Sequence, residues 1–391
     1  MSLISVTEAL EALFALVRPT GEEIVPLLDA SGRVLARPVA ARRDQPPFPA
    51  AAMDGYALRD AELRPGATFR VIGESAAGHG YAGKVGPGEA ARIFTGAPVP
   101  GGADHVVIQE DVARDGDTIT ILDSLGRGPN LRPAGADFRR GDELDIKRLG
   151  PSDIALLAAM NHAELPVARQ PEVAILATGD ELVPPGRDPG PDQIVASNSY
   201  GLFALCAALG ARPRLLPIAE DDLDSLRFAF GMAEGADLLV TIGGASVGDH
   251  DLVAPAAEGM GLERSFWKVA MRPGKPLMAG RMGTMMMLGL PGNPVSAMVC
   301  GHVFLAPVLR AMQGLPAGPA PRRRARLAAP LAANGPREHY LRARTGPDGV
   351  TAFDKQDSSL LSVLSEADCL IVQPPDDPAR PAGAEIEVID L

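Results

Sequence analysis

The sequence predicts a multidomain protein of α/β and β regions, organised around a central doubly wound parallel sheet. The chain of 391 residues is longer than one hydrophobic core usually organises, so several domains are expected. Between residues 171 and 313, apolar β-branched runs alternate with helical patterns, as in βαβ units. Residues 46–136 and the last part of the chain instead show short strand-like runs separated by turns, which is typical of small β domains.

The N-terminal region is predicted to be one domain interrupted by another. Ser5 and Glu8 have the spacing of a capping box and precede apolar residues at helical spacing, which predicts a helix over residues 5–18. The proline-dense stretch 44–54 indicates a hinge, and a helical pattern resumes at Pro151. We therefore predict a split N-terminal domain (1–45 with 138–170), an inserted β-rich domain (46–137), an α/β domain (171–313) and a small C-terminal β-barrel-like domain (318–391).

The composition of the chain disfavours several classes of function. The formal net charge of −12, the single tryptophan and the four tyrosines argue against nucleic acid binding, which needs cations and stacking platforms. The cysteines Cys206, Cys300 and Cys369 are far apart in sequence and are predicted to be buried free thiols, not a disulfide framework or a zinc site. We recognise no secretory segment and no span of about 18 apolar residues, so we expect a cytoplasmic protein without membrane contact.

The stretch from Ala236 to Pro294 carries the strongest signals for ligand binding. An apolar strand-like run ends in Gly243 and Gly244, and glycines allow a backbone to come close to a ligand. At the other end, Asn293 is a good N-cap and Pro294 a good first residue for the apolar helix that follows. A helix N-terminus beside a glycine turn favours anion binding. We therefore expect a ligand site at the carboxyl ends of the parallel strands.

Charged residues of both signs accompany this stretch. Glu181, Asp221 and Asp251 each follow a predicted parallel strand, and several acids at one sheet edge favour a shared Mg²⁺ or polar-ligand site. A cationic segment around a rigid Pro-Gly turn suits an anion clamp, with simple solvation as the alternative. Its cations are Lys268, Arg272 and Lys275.

Two local patterns allow other interpretations. The glycine turn around Ser246 matches the nucleophile elbow of hydrolases, but no oxyanion segment precedes it, so a ligand-cradling loop is favoured. The segment from Gly78 to Lys84 nearly matches a phosphate-binding P-loop, but Val85 stands where a Ser or Thr would reach Mg²⁺. A surface turn is therefore favoured there.

Seven segments in register resemble the molybdopterin molybdenumtransferase family, which includes bacterial MoeA and the C-terminal domain of gephyrin. Together they span residues 52–296, and the predicted domain order extends the likeness over nearly the whole chain. As a set they are highly specific. The segments are Ala52–Ala57, Arg92–Pro100, Thr178–Leu182, Gly243–Gly248, Phe266–Lys268, Arg272–Pro276 and Gly289–Ser296.

The resemblance implies an elongated homodimer that performs the last step of molybdenum cofactor synthesis. An adenylylated molybdopterin would bind, molybdate would be inserted, and AMP would be released by hydrolysis with Mg²⁺. The family's active cleft lies between the α/β domain of one subunit and the inserted domain of the other. Molybdopterin adenylyltransferase and molybdoenzyme acceptors are the implied partners.

By motif position, the resemblance also implies two groups of site residues. The catalytic positions are Asp54, Thr95, Asp137, Glu181, Asp221 and Asp251, of which Glu181, Asp221 and Asp251 are the implied metal ligands. The substrate-binding positions are Gly243, Gly244, Ser246, Lys268, Arg272, Lys275, Pro291, Pro294 and Ser358.

Two departures from the family pattern bear on these expectations. Pro49, Ala50 and Ala51 stand where the family often has Asp-Asn-Ser, so three polar side chains are missing. Arg272 stands where a Lys is common, and its planar guanidinium holds oxyanions differently from an ammonium group. Relatives also suggest two alternatives, a non-catalytic gephyrin-like scaffold and a tungsten-inserting paralogue.

Overall fold

The computed structural model describes residues 3–124, 126, 128–244 and 252–391. Its central unit is a six-stranded sheet with helices on both faces, which confirms the predicted doubly wound α/β core. In spatial order the strands are Arg212–Leu215, Glu172–Ala177, Leu238–Ile242, Met285–Leu290, Met278–Met282 and Leu262–Trp267. Met278–Met282 runs antiparallel to both neighbours, so the sheet is mixed and not all parallel as predicted.

The helices of this domain form one layer on each face of the sheet. Asn198–Ala208 and Pro294–Met312 cover one face, and Leu223–Met232 and Val253–Gly259 cover the other. Each layer packs against alternate residues of the strands, because successive strand side chains point to opposite faces. As predicted, the three cysteines are buried free thiols.

The longest helix, Pro294–Met312, has 19 residues and contains a π-helical turn at Gly301–Leu305. Its mean hydropathy of 1.6 makes it long and apolar enough to cross a membrane, which corrects the expectation that no such span occurs. However, 78% of its apolar window is buried inside the protein. A helix that is apolar all round and buried in this way is a core helix of the domain.

The first helix, Val6–Leu16, packs differently from the expectation that it belongs to the split domain. The capping box is confirmed, since the Ser5 hydroxyl accepts a bond from the Glu8 N–H and the Glu8 carboxylate accepts one from the Ser5 N–H. Its buried face, which includes Leu10 and Leu13, joins the core of the α/β domain. The helix pattern shows which face is apolar, but not which domain covers that face.

The remainder of the split domain is small and is built from segments far apart in sequence. Glu22–Pro26 pairs antiparallel with Glu164–Ala168, and Val39–Ala40 pairs with Glu143–Leu144. The 3₁₀ turn Leu27–Ala30 and the helix Pro151–Ala159 complete this unit. Its core contains Leu35, Leu157 and Leu165.

The inserted region is β-rich, as predicted, and contains a six-stranded sheet. In spatial order the strands are His105–Ile108, Gly55–Leu58, Glu89–Ile93, Thr68–Ser75, Thr118–Ile121 and Val112–Asp115. A separate pair, Ala50–Ala51 with Leu131–Arg132, lies where the chain enters and leaves the domain. Short 3₁₀ turns occur at Asp60–Glu62 and Gln109–Asp111.

The C-terminal region forms a closed, barrel-like sheet. Its strands are Arg323–Arg326, Glu338–Gly346, Gly349–Ala352, Cys369–Gln373 and Glu385–Asp390. A bridge between Leu327 and Val350 joins the two ends of the sheet, which agrees with the predicted β-barrel-like domain. The short helix Leu361–Glu366 is an addition to the strands that the sequence predicts. Met271–Arg272 of the α/β domain also pairs with Glu338–His339, so the two domains share this sheet.

Candidate functional site

A cleft of about 460 Å³ lies at the carboxyl ends of the strands Glu172–Ala177 and Leu238–Ile242. These two strands are neighbours, but the helices that follow Glu172–Ala177 and precede Leu238–Ile242 lie on opposite faces of the sheet. This is the topological switch point, where open α/β sheets bind ligands. Five of the predicted site residues line the cleft: Glu181, Gly243, Gly244, Pro291 and Pro294.

Glycine is required where the two central loops meet. Gly243 has φ of +94°, a backbone conformation that other residues rarely adopt. A Cβ atom at Gly243 would also lie 2.9 Å from the Thr178 carbonyl oxygen. The loop therefore approaches its neighbour closely and exposes its main chain to the cleft.

The predicted carboxylates lie on adjacent loops of this sheet edge. Glu181 lines the cleft, and its carboxylate lies over Gly179, where an added Cβ would be 2.4 Å from Oε2. Asp221 is in the next loop, and its N–H donates to the Asp180 carboxylate at 2.9 Å. Asp251 and Ser246 lie outside the described residues. Within the residue ranges that the structure describes, we find no group of three or more acids, histidines or cysteines able to hold a metal ion.

This donor set fits the Mg²⁺ that the resemblance implies. Mg²⁺ usually retains several waters and is held by one or two carboxylates together with substrate phosphates, not by an all-protein cage. Glu181 lines the cleft, and Asp221 lies in the next loop of the same sheet edge, outside the cleft lining. A three-ligand protein cluster is therefore not required at this position.

The N-terminus of the helix Pro294–Met312 closes one side of the cleft. Asn293 is the N-cap and Pro294 is the first helical residue, as predicted, although the Asn293 side chain makes no capping bond. The Val295 N–H donates to the Ser358 carbonyl at 3.0 Å, which brings the predicted Ser358 from the C-terminal domain to this corner. The helix dipole makes this end attractive to anions, while Pro294 has no N–H and the Val295 N–H is already bonded to Ser358.

Sequence reasoning missed a second set of residues that shape the cleft. Asn198 is the first residue of the helix Asn198–Ala208, and Ser197 occupies the N-cap position. The Asn198 amide donates to the Gly292 carbonyl at 2.7 Å and so supports the loop that precedes Pro294. Thr178 and Pro276 also line the cleft. An asparagine at a helix start is a common cap, so no local signal could have shown this longer contact.

The cationic turn lies beside the cleft and carries unpaired charge. Within the described part of the chain, no carboxylate forms an ion pair with Lys268, Arg272 or Lys275. Arg272 and Lys275 are exposed, and Pro276, the next residue, lines the cleft. Three cations in one turn, without a carboxylate partner among the described residues, give this surface a positive potential that attracts anions.

The C-terminal domain adds positive charge to the same turn. Arg272 pairs in the sheet with His339, and burial lowers the pKa of His339 to about 4, with further lowering by Arg272, Arg337 and Arg342. His339 is therefore neutral at physiological pH and leaves the guanidinium groups as the local charge. The sequence showed no connection between these arginines and the turn, because they are far apart along the chain.

Asp54 and Thr95 are brought together in the inserted domain, not in the cleft. One carboxylate oxygen of Asp54 accepts bonds from both the N–H and the hydroxyl of Thr95, each at 2.7 Å. These bonds hold the pKa of Asp54 below its ordinary value, so the carboxylate stays ionised to lower pH. Asp137 lines a separate cavity of about 660 Å³, together with Arg43, Arg132 and Gly96, the neighbour of Thr95.

The departure from the family pattern falls in the wall of that second cavity. Ala50 and Ala51 are buried and form the short strand that pairs with Leu131–Arg132. Ala50 also lines the cavity, so a methyl group is present where a polar side chain is common in the family. The main-chain pairing itself does not depend on these side chains.

Thr95→Val is expected to raise the pKa of Asp54 toward its ordinary value, because it removes the hydroxyl donor and keeps the N–H donor. A carbon-detected NMR titration of the Asp54 carboxyl group measures this shift. Thr95→Ser, which retains a hydroxyl, should leave the pKa close to that of the parent protein. An unchanged Asp54 pKa in Thr95→Val would contradict the proposed cause.

Comparison with known proteins places the whole chain in one family. Residues 4–161 match the family region described as MoeA N-terminal region (domain I and II), 174–311 match a probable molybdopterin binding domain, and 324–391 match the MoeA C-terminal region (domain IV). The chain is 36% identical over 386 residues to a molybdopterin molybdenumtransferase from Nostoc sp., covering 94% of this chain and 88% of the relative. It is 34% identical to the enzyme of that name from Synechococcus elongatus, over the full length of both.

Solved structures agree with the sequence matches. A molybdopterin biosynthesis MoeA protein from Pyrococcus horikoshii superposes with a TM-score of 0.84 at 31% identity, covering 100% of this chain and 99% of that one. Another crystal structure, of a molybdopterin biosynthesis MoeA protein from Pyrococcus horikoshii OT3, gives a TM-score of 0.87 at 27% identity, with full coverage of both chains. The relatives are named as transferases, which supports the enzyme interpretation over the scaffold. The chain belongs to the molybdopterin molybdenumtransferase (MoeA) family and is an enzyme of molybdenum cofactor biosynthesis.

Proposed function

We propose that the protein inserts molybdate into adenylylated molybdopterin and releases AMP in a Mg²⁺-dependent hydrolysis. The observation that supports this most is the cleft at the switch point, which has an acid, a glycine loop and a helix N-terminus on its walls and a cationic turn beside it. The substrates require this combination, because one carries a phosphoanhydride and the other is an oxyanion. The same chemistry would accept tungstate, so the metal preference is part of the test.

The cleft residues have separate roles in this proposal. Gly243 and Gly244 let the main chain approach the substrate, and the amino end of the helix at Pro294 attracts its phosphates. Glu181 and Asp221, with Asp251 from the loop outside the described residues, would hold Mg²⁺. When bound, Mg²⁺ supplies positive charge that stabilises the phosphoryl oxygens during hydrolysis. The protein residues orient the phosphoryl group and keep it in line with the attacking water.

Molybdate would bind at the cationic turn. Arg272 and Lys275 are exposed and form no ion pair with the described residues, and the Arg337 guanidinium reaches the same turn, where it donates to the Met271 carbonyl at 3.4 Å. Oxyanions bind strongly where several fixed cations converge. Pro276, the residue after Lys275, lines the cleft, so an oxyanion bound at the turn would be close to the bound pterin.

The inserted domain would complete the cleft from the partner subunit of a homodimer. In the part of the chain that the structure describes, the cleft is lined only by residues from 177 onwards, so Asp54, Thr95 and Asp137 do not reach it within one subunit. In a two-fold dimer, the inserted domain of each subunit could cover the cleft of the other, which would bring these residues to the substrate. A cytoplasmic location, and transient contacts with the adenylyltransferase and acceptor molybdoenzymes, fit this role.

The reaction is tested by incubating the purified protein with adenylylated molybdopterin, Mg²⁺ and molybdate. AMP release and the reconstitution of an apo-molybdoenzyme are measured together, and tungstate replaces molybdate in a parallel series. We expect both products to depend on the protein and on Mg²⁺. If neither depends on the protein, the proposed reaction is wrong.

Lys275→Ala is expected to raise the molybdate concentration needed for half-maximal rate by on the order of tenfold, since it removes one exposed cation from an oxyanion site. Turnover at saturating molybdate should change little. Arg324→Ala is the control, because Arg324 is an exposed cation in the C-terminal domain and its ion pair with Glu385, at 3.7 Å, is also exposed. Loss of turnover at every molybdate concentration would contradict a binding role for Lys275.

A further inference from the structure

We propose that the main chain of Ile4 positions Lys268 for oxyanion binding. This inference rests on the proposed role of the cationic turn and adds a residue that lies outside every motif of the site. Two observations support it: the backbone conformation of Lys268 and the hydrogen bonds that fix this conformation.

Lys268 has an unusual backbone. Its φ is +96°, in the left-handed region that a residue with a Cβ atom rarely adopts. Such a conformation persists only where the surrounding structure imposes it, and these residues are concentrated at functional sites. The direction of the Lys268 side chain depends on this φ, because a change of φ to a negative value would turn the Cα–Cβ bond away from its present direction.

Two sets of contacts hold Lys268 in place. On one side its N–H donates to the Leu277 carbonyl at 2.9 Å, which closes the base of the turn. On the other side Ile4 forms a parallel bridge with Val269. The Ile4 N–H donates to the Lys268 carbonyl at 3.4 Å, and the Ile4 carbonyl accepts a bond from the Ala270 N–H at 2.7 Å. Ile4 therefore contacts both peptide groups that flank Val269.

Ile4 is itself held by the helix that follows it. Ser5 is the N-cap of Val6–Leu16, and the capping box with Glu8 orients the chain at this point. Ile4 packs against the main core of the α/β domain, to which Leu10 and Leu13 also belong. The N-terminal helix thus supplies a rigid support for the bridge to Val269.

The other half of the turn is held by a different part of the protein. The Glu338 N–H donates to the Ala270 carbonyl at 3.0 Å, and Met271–Arg272 joins the C-terminal sheet. Gly274 packs on Cys300, where an added Cβ would lie 2.4 Å from the sulfur. Arg272 is therefore positioned from the C-terminal side, whereas Lys268 is held by Ile4 and Leu277. The main chain of Lys275 is tied to Val269, whose N–H donates to the Lys275 carbonyl at 2.9 Å.

This separation makes a specific kinetic prediction. Ile4→Pro removes the N–H that bonds to Lys268 and fixes φ at position 4. We expect it to raise the molybdate concentration for half-maximal rate, and to weaken direct molybdate binding in equilibrium dialysis, by on the order of tenfold, because it weakens one charge-assisted contact with the oxyanion. Turnover at saturating molybdate should stay close to that of the parent protein. Ile4→Ala, which keeps the main-chain bonds, should bind molybdate normally.

A double-mutant cycle separates positioning from a general loss of stability. Lys268→Gly removes the cation and adopts positive φ without strain. In that background Ile4→Pro should have no further effect on molybdate binding, because there is no side chain left to position. Leu157→Ala is the stability control, since Leu157 is buried in the separate core of the split domain, and it should lower the melting temperature without weakening molybdate binding.

The outcomes distinguish this inference from the function on which it rests. If Lys275→Ala weakens molybdate binding and Ile4→Pro does not, the positioning role of Ile4 is wrong and the oxyanion site stands. Equal fold-changes for Ile4→Pro in the parent protein and in the Lys268→Gly variant would also overturn the inference. If neither Lys275→Ala nor Lys268→Gly affects molybdate binding, the turn is not the oxyanion site.

Discussion

Glu181→Gln is expected to lower turnover at saturating substrate by on the order of 10²-fold or more, with little change in the affinity for molybdate. The amide keeps the shape of the carboxylate and removes its charge, and the proposed task of that charge is to hold Mg²⁺ beside the phosphoryl group. Glu181 lines the cleft, whereas the cations proposed to bind molybdate lie on a separate turn. AMP release measured against substrate and molybdate concentration separates the two effects.

Two further variants make this expectation specific. Asp188→Asn, an exposed acid later in the same loop region, should leave turnover unchanged. Gly179→Ala keeps every charge, but its Cβ would lie 2.4 Å from Glu181 Oε2 at a φ of +144°, so the carboxylate must move. It should therefore reproduce most of the loss seen in Glu181→Gln. Normal turnover in both Glu181→Gln and Gly179→Ala would remove Glu181 from the proposed mechanism.

Mixed dimers of Asp54→Asn and Glu181→Gln subunits are expected to recover about half of the activity of the parent dimer, although each variant alone is nearly inactive. If each cleft combines the α/β domain of one subunit with the inserted domain of the other, one cleft of the mixed dimer carries both substitutions. The second cleft then carries neither. Co-expression with two different affinity tags isolates this species, and AMP release per dimer gives the result.

The alternative geometry predicts a different outcome for the same dimers. If Asp54 and Glu181 served one cleft within a single subunit, both clefts of the mixed dimer would contain one substitution. The mixed dimers would then be as inactive as the two variants. Light scattering that shows only monomers at micromolar concentration would also contradict a cleft shared between subunits.

Much of the fold and part of the site follow from local patterns in the sequence. Glycines and capping residues act through their own backbone preferences, so Gly243, the Ser5–Glu8 capping box and the helix start at Asn293–Pro294 were predictable. Apolar runs flanked by turns identified the strands Glu172–Ala177 and Leu238–Ile242. Acids that follow such strands were expected at one sheet edge, and Glu181 does lie in the cleft there.

The remaining features depend on contacts between segments distant in sequence, and only the tertiary structure shows them. The docking of Val6–Leu16 on the α/β domain, the Asn198 bond to Gly292 and the sheet shared by Arg272 and His339 have no local signal. The positive φ of Lys268 is also opposed by its own residue type. The reason is physical: a residue's local preferences act over a turn or a strand, whereas these arrangements are decided by the packing of separate domains, which overrides such preferences at the site.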